Sequence, residues 1–461
     1  MKIIGIIAEY NPFHKGHAYQ INELRKQTNA DYIIIAMSGN FVQRGVPALC
    51  DKYTRTKMAL SCGADLVLEL PTLWATASAE YFAKSGVQLF ENTGVVTHLG
   101  FGAESSNLEA LLQISNILVQ EPNEYQILLS NALKKGVSFP VARKQALFPC
   151  LSDSICELEL NNLLDSPNNI LGIEYLKALQ TIKSKIIPIL IQRKGAGYHD
   201  TSLENILPSA TGIRKLLFNA NIQQIQNHDT INTKNILSET KLQTQMHNVF
   251  SNNMNTEKHT QSKNQSLTIH DIVETLSTSI PEPVLPILAD IISQNALLEE
   301  DDLSSILGYH LLTLQNEGYS NFADCTKEMS NKIKKHLPQY TNIHSFCELL
   351  KSKELTHTRI SRTLLHILLN IYQTDYICTN ITPYLRVLGF KQTSSPLLSM
   401  IKKNTNIPIV TKVADAHRIL SPNAYHMFEK DLFASSIYYQ LLAQKTQQKP
   451  LNEFTSKIVI I

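Results

Sequence analysis

The chain has 461 residues, 43% hydrophobic and 18% charged, with a formal net charge of only +2. That length accommodates two or three domains with ample core, and the near-neutral balance excludes a global basic field, so any RNA site must be a local patch. The seven cysteines are odd in number with no Cys-x-x-Cys pair, and no apolar run reaches a membrane span's length. The expectation is a cytoplasmic protein with reduced thiols, no metal site and no membrane contact.

In chain order, short β-branched runs predict strands at Lys2–Ala8, Tyr32–Met37, Leu66–Leu70, Val95–Gly100 and Lys185–Ile191. Apolar residues at helical spacing predict helices over Ala18–Thr28, Tyr53–Cys62, Ala77–Glu91, Leu108–Val119 and Ile170–Thr181. Strands without polar alternation, separated by helices, indicate βαβ units and a parallel sheet buried on both faces, an α/β Rossmann-like domain. Ligands of such sheets sit beyond the carboxyl ends of the strands. From Asn219 to Thr268 the chain is rich in Asn, Gln, Thr and Lys and too poor in apolar residues to offset ordering entropy, which suggests a polar insertion or linker. Residues 269–375 read as mainly helical, with apolar spacing in Ile269–Leu276, Val284–Ser293, Leu303–Leu314 and Arg362–Tyr372. A mixed end follows, with a short strand at Ile407–Lys412 and a helix over Leu432–Leu442. The expected organisation is a catalytic domain over 1–218, the insertion over 219–268, and a mainly α-helical region over 269–461 with a small α/β end.

Directly after the first strand comes Glu9-Tyr10-Asn11-Pro12-Phe13-His14-Lys15-Gly16-His17. Strand, turn and helix start place two imidazoles and a glycine at a helix N-terminus. Free N–H groups and the positive end of the helix dipole there favour a polyphosphate. Gly16 offers close backbone approach to a ligand, and His14 and His17 offer hydrogen bonds to phosphate oxygens as negative charge builds up. Two surface histidines beside a loop glycine would be the bland alternative. Ser209 and Thr211 stand where another helix would start, with Arg214 a turn further; capping by Ser209 or phosphate binding would each explain them. Gly102 follows a strand at the expected crevice, where adenine could lie close to the backbone. Asn40, Gln43 and Arg44 form a polar loop, from which Arg44, or Lys52 beyond it, could steer a small carboxylate or an RNA phosphate. Lys332, Lys334, Lys335, Lys351, Lys353, Arg359 and Arg362 make the best local basic patch; a solvated helix face is the commoner reason for such a run.

The His14-Lys15-Gly16-His17 tetrad resembles the HxGH signature of the nucleotidylyltransferase superfamily, and Ser209-Ala-Thr-Gly-Ile-Arg214 resembles its Ser-Ser-Thr-x-x-Arg motif with Ala210 in place of one serine. Further blocks match in order and spacing: Ser38-Gly-Asn-Phe-Val-Gln-Arg-Gly45, Asp51-Lys-Tyr-Thr-Arg55, Gly63–Pro71, Phe101-Gly-Ala-Glu104, Ser166–Tyr175, Arg193 with Gly197–Asp200, and Thr358-Arg-Ile-Ser-Arg362. Together they resemble the bacterial tRNA(Met) cytidine acetate ligase family, densely over 1–216 and more thinly beyond about 270. That resemblance implies two steps: acetate and ATP give acetyl-adenylate, and the acetyl group then passes to N4 of the wobble cytidine of elongator tRNA(Met). It also implies His14, His17 and Arg214 as catalytic residues. Ile7, Ala8, Glu9, Tyr10, Asn11, Pro12, Phe13, Gly16, Gly102, Asn169, Arg193, Ser209 and Thr211 join the two histidines as the implied ATP site; Asn168 is the other candidate beside Asn169. Magnesium is expected with the ATP, held by phosphates and water, and Arg359, Arg362, Lys334 and Lys335 are expected at the tRNA. A nucleotidylyltransferase acting on a small cofactor precursor is the main alternative, since the first-half motifs would serve it equally well. A tRNA-binding protein without catalysis is a second, which the intact His14, His17 and Arg214 disfavour.

Overall fold

Alternation along each strand divides the apolar residues between two cores. In β1 (Ile3–Ala8) and β2 (Tyr32–Ser38), Ile3, Ile34 and Ala36 face one side, and Ile4, Ile6, Ile33, Ile35 and Met37 face the other. Successive Cβ atoms point to opposite faces, so a run that is apolar at every position needs cover on both sides. The computed structural model, which describes residues 1–151, 155–193, 210–219, 269–352, 355–378 and 381–461, supplies that cover. Helices α1 (Lys15–Thr28) and α2 (Lys52–Ser61) lie on one face. Helices α3 (Ala79–Thr93), α4 (Leu108–Gln120) and α5 (Pro167–Thr181) lie on the other.

With β5 (Leu66–Leu70), β6 (His98–Ala103) and β7 (Ile187–Gln192), the parallel part of the sheet runs in the order β5-β2-β1-β6-β7. The short strands β3 (Phe41–Val42) and β4 (Val46–Pro47) form a separate hairpin. The five strands predicted in the first half are all present. The fourth begins three residues later than expected, because the N–H groups of Val95 and Val96 approach the Thr93 hydroxyl in the turn after α3. The first helix begins earlier than expected, at Lys15, because His14 caps it.

The sheet does not end with the first half of the chain. Strand β8 (Leu385–Phe390), not anticipated from the sequence, pairs antiparallel with β5, and β9 (Ile409–Val410) and β10 (Val459–Ile460) pair with β8. Helices before and after β8 build a third core around Leu307, Leu311, Phe346, Leu364, Phe428 and Tyr438. Its helices include Lys327–His336, Ile343–Leu350, His357–Leu368 and the 25-residue Pro422–Thr446. The helix predicted over Arg362–Tyr372 lies earlier. Thr356 caps it, and Tyr372 instead bridges to Phe322. Among the described residues, no helix is long and apolar enough to cross a membrane.

The returning segment is held by charge as well as by the ladder. Lys52 Nζ lies 2.8 Å from Glu69 and 2.7 Å from Glu453, and Arg386 Nε lies 3.0 Å from Glu69 while its guanidinium also pairs with Glu453. All four side chains are at most 4% exposed. Burial raises the Glu453 pKa, but Lys52 and Arg386 outweigh it and hold the carboxyl below its ordinary range. Two cations and two anions balance, so removing one leaves an uncompensated buried charge. Glu453→Ala should therefore cost about 3–5 kcal/mol in urea unfolding near neutral pH. The stabilisation is present above the ordinary carboxylate range and is lost as pH falls through the depressed folded value. A loss below about 1 kcal/mol, the range of an exposed pair, would show that the C-terminal segment is not docked on the sheet as described.

Candidate active site

After β1 the chain moves to β2 on one side, and later fills the other side with β6. The sheet order therefore reverses at β1, and a crevice opens beyond the carboxyl ends of β1 and β6. A cleft of about 370 Å³ occupies this place. Ile7, Ala8, Glu9, Tyr10, Asn11, His14 and His17 reach it from the first strand and turn; Phe101 and Gly102 reach it from β6; Arg193, Thr211 and Arg214 close it from beyond β7. Helix α6 (Ala210–Asn219) carries Thr211 and Arg214. Ser209 lies outside the described residues. Of the other residues expected at ATP, Pro12, Phe13, Gly16 and Asn169 do not line the cleft.

The two histidines form one unit. The backbone N–H of Gly16 donates to His14 Nδ1 over 3.0 Å, and that of His14 donates to His17 Nδ1 over 3.2 Å, a reciprocal capping box at the start of α1. The rings stack at 3.7 Å. Because both Nδ1 atoms accept from backbone amides, each neutral ring carries its proton on Nε2, the nitrogen left to donate to a ligand. Burial, then the positive charges of Arg193 and Arg214, lowers the His14 pKa to about 3; burial, His14 and Arg193 likewise lower that of His17 well below its ordinary value. The pair thus offers two neutral donors in a field made positive by arginine, which favours an anion without fixing two further cations there. Gly16 is needed for a different reason from the one expected. A Cβ there would stand 2.8 Å from the His14 ring, so the glycine makes room for the capping imidazole.

Arg214 is braced by the Asn11 carbonyl at 2.6 Å and the Thr211 hydroxyl at 3.1 Å, which ties the late phosphate motif to the early turn. At Gly102 a Cβ would meet nothing closer than 3.5 Å, and no positive φ is recorded there. Protein packing does not demand glycine at this position, and the missing side chain leaves space in the cleft. Glu104 positions the two asparagines: it accepts from Asn168 Nδ2 at 2.6 Å and from the Asn169 backbone at 3.1 Å. Asn168 lines the cleft; Asn169 is 2% exposed and its Oδ1 accepts from the Ser105 backbone at 3.0 Å.

The polar loop contributes Gln43, Arg44 and Val46 to the cleft. Gln43 donates through its backbone N–H to Glu9 Oε1 at 2.9 Å and through its side chain to the Ala77 carbonyl at 3.2 Å. Beneath it, fully buried Arg55 donates to the carbonyls of Glu9, Ser38, Gly39 and Cys50 and so joins the turns after β1 and β2. Lys52 cannot steer a substrate, contrary to the sequence-based expectation: it is fully buried in the ion cluster with Glu69 and Glu453. Gln20, Phe82, Leu171 and Tyr175 also line the cleft and were not singled out. In sequence Phe82, Leu171 and Tyr175 carry only the signal of core residues, and Gln20 only that of a polar helix position.

The distal basic residues differ in environment. Lys335 is exposed and Arg359 half-buried. Lys334 donates to the Asn316 carbonyl at 3.3 Å, and Lys332 donates to the Leu350 carbonyl at 2.5 Å. Arg362 is only 11% exposed and pairs with Asp324 at 3.1 Å. The Ser361 hydroxyl lies 3.0 Å from the Gly45 carbonyl, so this helix rests on the loop that carries Gln43 and Arg44.

Residues 1–280 and 262–453 match the HIGH Nucleotidyl Transferase family. The tRNA(Met) cytidine acetate ligase of Clostridium novyi is 37% identical over 440 residues, covering 94% of this chain and 96% of that protein. That of Halothermothrix orenii is 36% identical over 469 residues, covering 100% and 99%. Among solved structures, apo TmcAL of Thermotoga maritima aligns with a TM-score of 0.84 at 29% identity over 100% of both chains. The same protein bound with alpha-thio ATP aligns at 0.82 and 28%, covering 100% of this chain and 99% of that one. Likeness of this extent, running the full length of the relatives, makes the chain a member of the tRNA(Met) cytidine acetate ligase family within the HIGH nucleotidyl transferases.

Proposed function

We propose that this chain is an ATP-dependent ligase that activates acetate and acetylates N4 of the wobble cytidine of elongator tRNA(Met). The observation that carries the chemistry is the stacked His14–His17 pair, neutral and fixed as Nε2 donors, facing Arg193 and Arg214 across one cleft. In the first step an acetate oxygen attacks the α-phosphorus of ATP and pyrophosphate leaves. Charge grows on the phosphate oxygens as this happens. The histidine N–H groups and the Arg214 guanidinium are placed to stabilise it, and the protein need form no bond of its own. In the second step the cytidine amine attacks the acetyl carbonyl, the amide forms and AMP leaves.

Gly102, Gln20, Asn168 and Arg193 are the groups we assign to the nucleoside side, with Asn169 acting beneath them by holding the Ser105 backbone. Magnesium would travel with the triphosphate. Glu9 is the carboxylate among the described lining residues, and with its Oε1 engaged by Gln43 it fits an ion held mainly by phosphates and water. Arg359, Lys334 and Lys335 remain the proposed RNA contacts; Arg362, expected with them, is engaged by Asp324. They belong to a helical region that a small-molecule nucleotidylyltransferase would not need.

His17→Ala should lower acetate-dependent ATP–pyrophosphate exchange by an amount equivalent to about 2.7–4 kcal/mol, the loss seen when one preorganised donor is removed. Exchange near the wild-type rate would sink the role of the pair. If a cofactor precursor, and not acetate, supports exchange, the small-molecule reading replaces this one. Mass analysis of tRNA nucleosides then tests the acceptor.

The imidazole pKa values set a second expectation. Both rings are already neutral at pH 6–8, so kcat/KM for ATP should show no limb near pH 6.5 that belongs to them. An acid limb that is present in the wild type and absent in His14→Asn would contradict the neutral pair.

For RNA, replacing Arg359 and Lys335 by Ala should weaken tRNA binding and reduce the slope of log K against log salt by about 0.7–0.9 per lost phosphate contact. Exchange without tRNA should persist. An unchanged salt slope would make this face merely solvated. Arg362→Ala should behave differently, lowering stability because Asp324 loses its partner.

A further inference from the structure

A second cluster of ligating side chains lies where three C-terminal segments meet. Glu300 opens a 3-10 turn, His344 lies in the first turn of helix Ile343–Leu350, and His357 begins helix His357–Leu368. One ligand atom from each falls within 4.8 Å of the other two. None of the three residues lines the ATP cleft.

Their hydrogen bonds leave the ligating atoms available. Glu300 Oε1 faces the Ser361 hydroxyl at 3.0 Å, whereas Oε2 points toward His344 Nδ1 at 4.0 Å. The His344 backbone N–H is held by Asp301 Oδ1 at 3.0 Å, which fixes the start of its helix. His357 Nε2 is buried and has no hydrogen-bond partner. Glu348 Oε1 stands 3.9 Å from that nitrogen. The two rings are 5.5 Å apart. A buried ring nitrogen without a partner is costly unless something occupies its lone pair or accepts its proton.

We infer that Glu300, His344 and His357 form a binding site for a divalent transition-metal ion of the Zn2+ class, with Glu348 within reach as a fourth ligand. Two imidazoles and a carboxylate suit Zn2+, whereas Mg2+ and Ca2+ prefer oxygen donors alone. Tetrahedral Zn2+ with bonds of about 2.0–2.2 Å separates its ligand atoms by about 3.3 Å. The present spacings require closure by roughly 1 Å, and two of the three donors lie on side chains at helix starts. The Ser361 hydroxyl on Glu300 Oε1 is the outer hydrogen bond that orients the carboxylate. Because Ser361 also faces the Gly45 carbonyl, the bound ion would pin three segments behind the loop that bears Gln43 and Arg44.

The test uses the full-length chain stripped of metal with a chelator. Zn2+ is titrated in competition with a chromogenic chelator, and Co2+ is then used as a spectroscopic probe. The expected result is one Zn2+ per chain, a higher melting temperature with Zn2+, and a Co2+ spectrum lacking a thiolate charge-transfer band. His344→Ala should weaken binding by at least about tenfold, the lower end of what even outer-shell changes cost. The His344 side chain is 64% exposed, so this variant should melt with the metal-free wild type and decide the question even if His357→Ala folds poorly. Unchanged Zn2+ affinity in His344→Ala would overturn the site. So would a thiolate band, which would transfer the ion to a cysteine such as Cys347, one turn along the same helix and fully buried. Absence of stoichiometric binding would also overturn it.

Discussion

The structure depends on a balanced set of four buried charges. Lys52 begins α2, Glu69 lies in β5, Arg386 lies in β8, and Glu453 follows the long C-terminal helix. No two neighbours in sequence could make this set. It forms only when the last third of the chain returns to the sheet built by the first. An apolar quartet would hold the same elements with less desolvation, whereas each ion here is compensated only when its distant partner is in place. The Tyr53 hydroxyl donates to Glu453 Oε2 at 2.8 Å, and Lys52 Nζ reaches the Ser435 hydroxyl at 3.2 Å. The surplus hydrogen-bonding capacity of the ions thus fastens α2 a second time and attaches the long C-terminal helix.

From this anchor, positional order passes to the cleft through backbone contacts. Lys52 N–H donates to Asn40 Oδ1 at 2.9 Å, and Leu49 N–H donates to Asn11 Oδ1 at 2.7 Å. One turn into α2, Arg55 gathers carbonyls from both strand ends. The loops that line the cleft are therefore fixed by buried side chains such as Arg55 that do not line it. His14 and His17 complete the pattern: each uses Nδ1 for the architecture of the helix start, which leaves Nε2 outside that cap.

Much of this was legible in the sequence because it is local. Strand β1, the Asn-Pro turn and the HxGH tetrad follow one another, so their apposition needs only the geometry of a strand entering a helix. The place of Gly102 at the crevice followed from the parallel sheet rule, whereas Arg193 was expected there from the family resemblance. What failed was non-local. Arg386 and Val387 look unremarkable until β8 is seen to lie against β5. Lys52 and Arg362 read as available cations because their partners, Glu453 and Asp324, are distant in sequence. The choice between Asn168 and Asn169 turned on the rotation of one helix start about Glu104, which residue type alone does not encode.

Gly45 carries a consequence for how such chains can be recombined. Its φ is +81°, and a Cβ there would lie 2.4 Å from the Arg362 backbone nitrogen. The cleft loop and the basic helix therefore meet main chain to main chain, without a side chain between them to absorb a mismatch. A crossover within the polar segment would appear to separate two modules, since it falls between helices. In a chimera of two relatives it would instead bring together a loop and a helix, a Glu69 and an Arg386, that had never been matched. Exchange of the C-terminal half between family members has to carry the loop around position 45 and the strand pair β5–β8 as one unit.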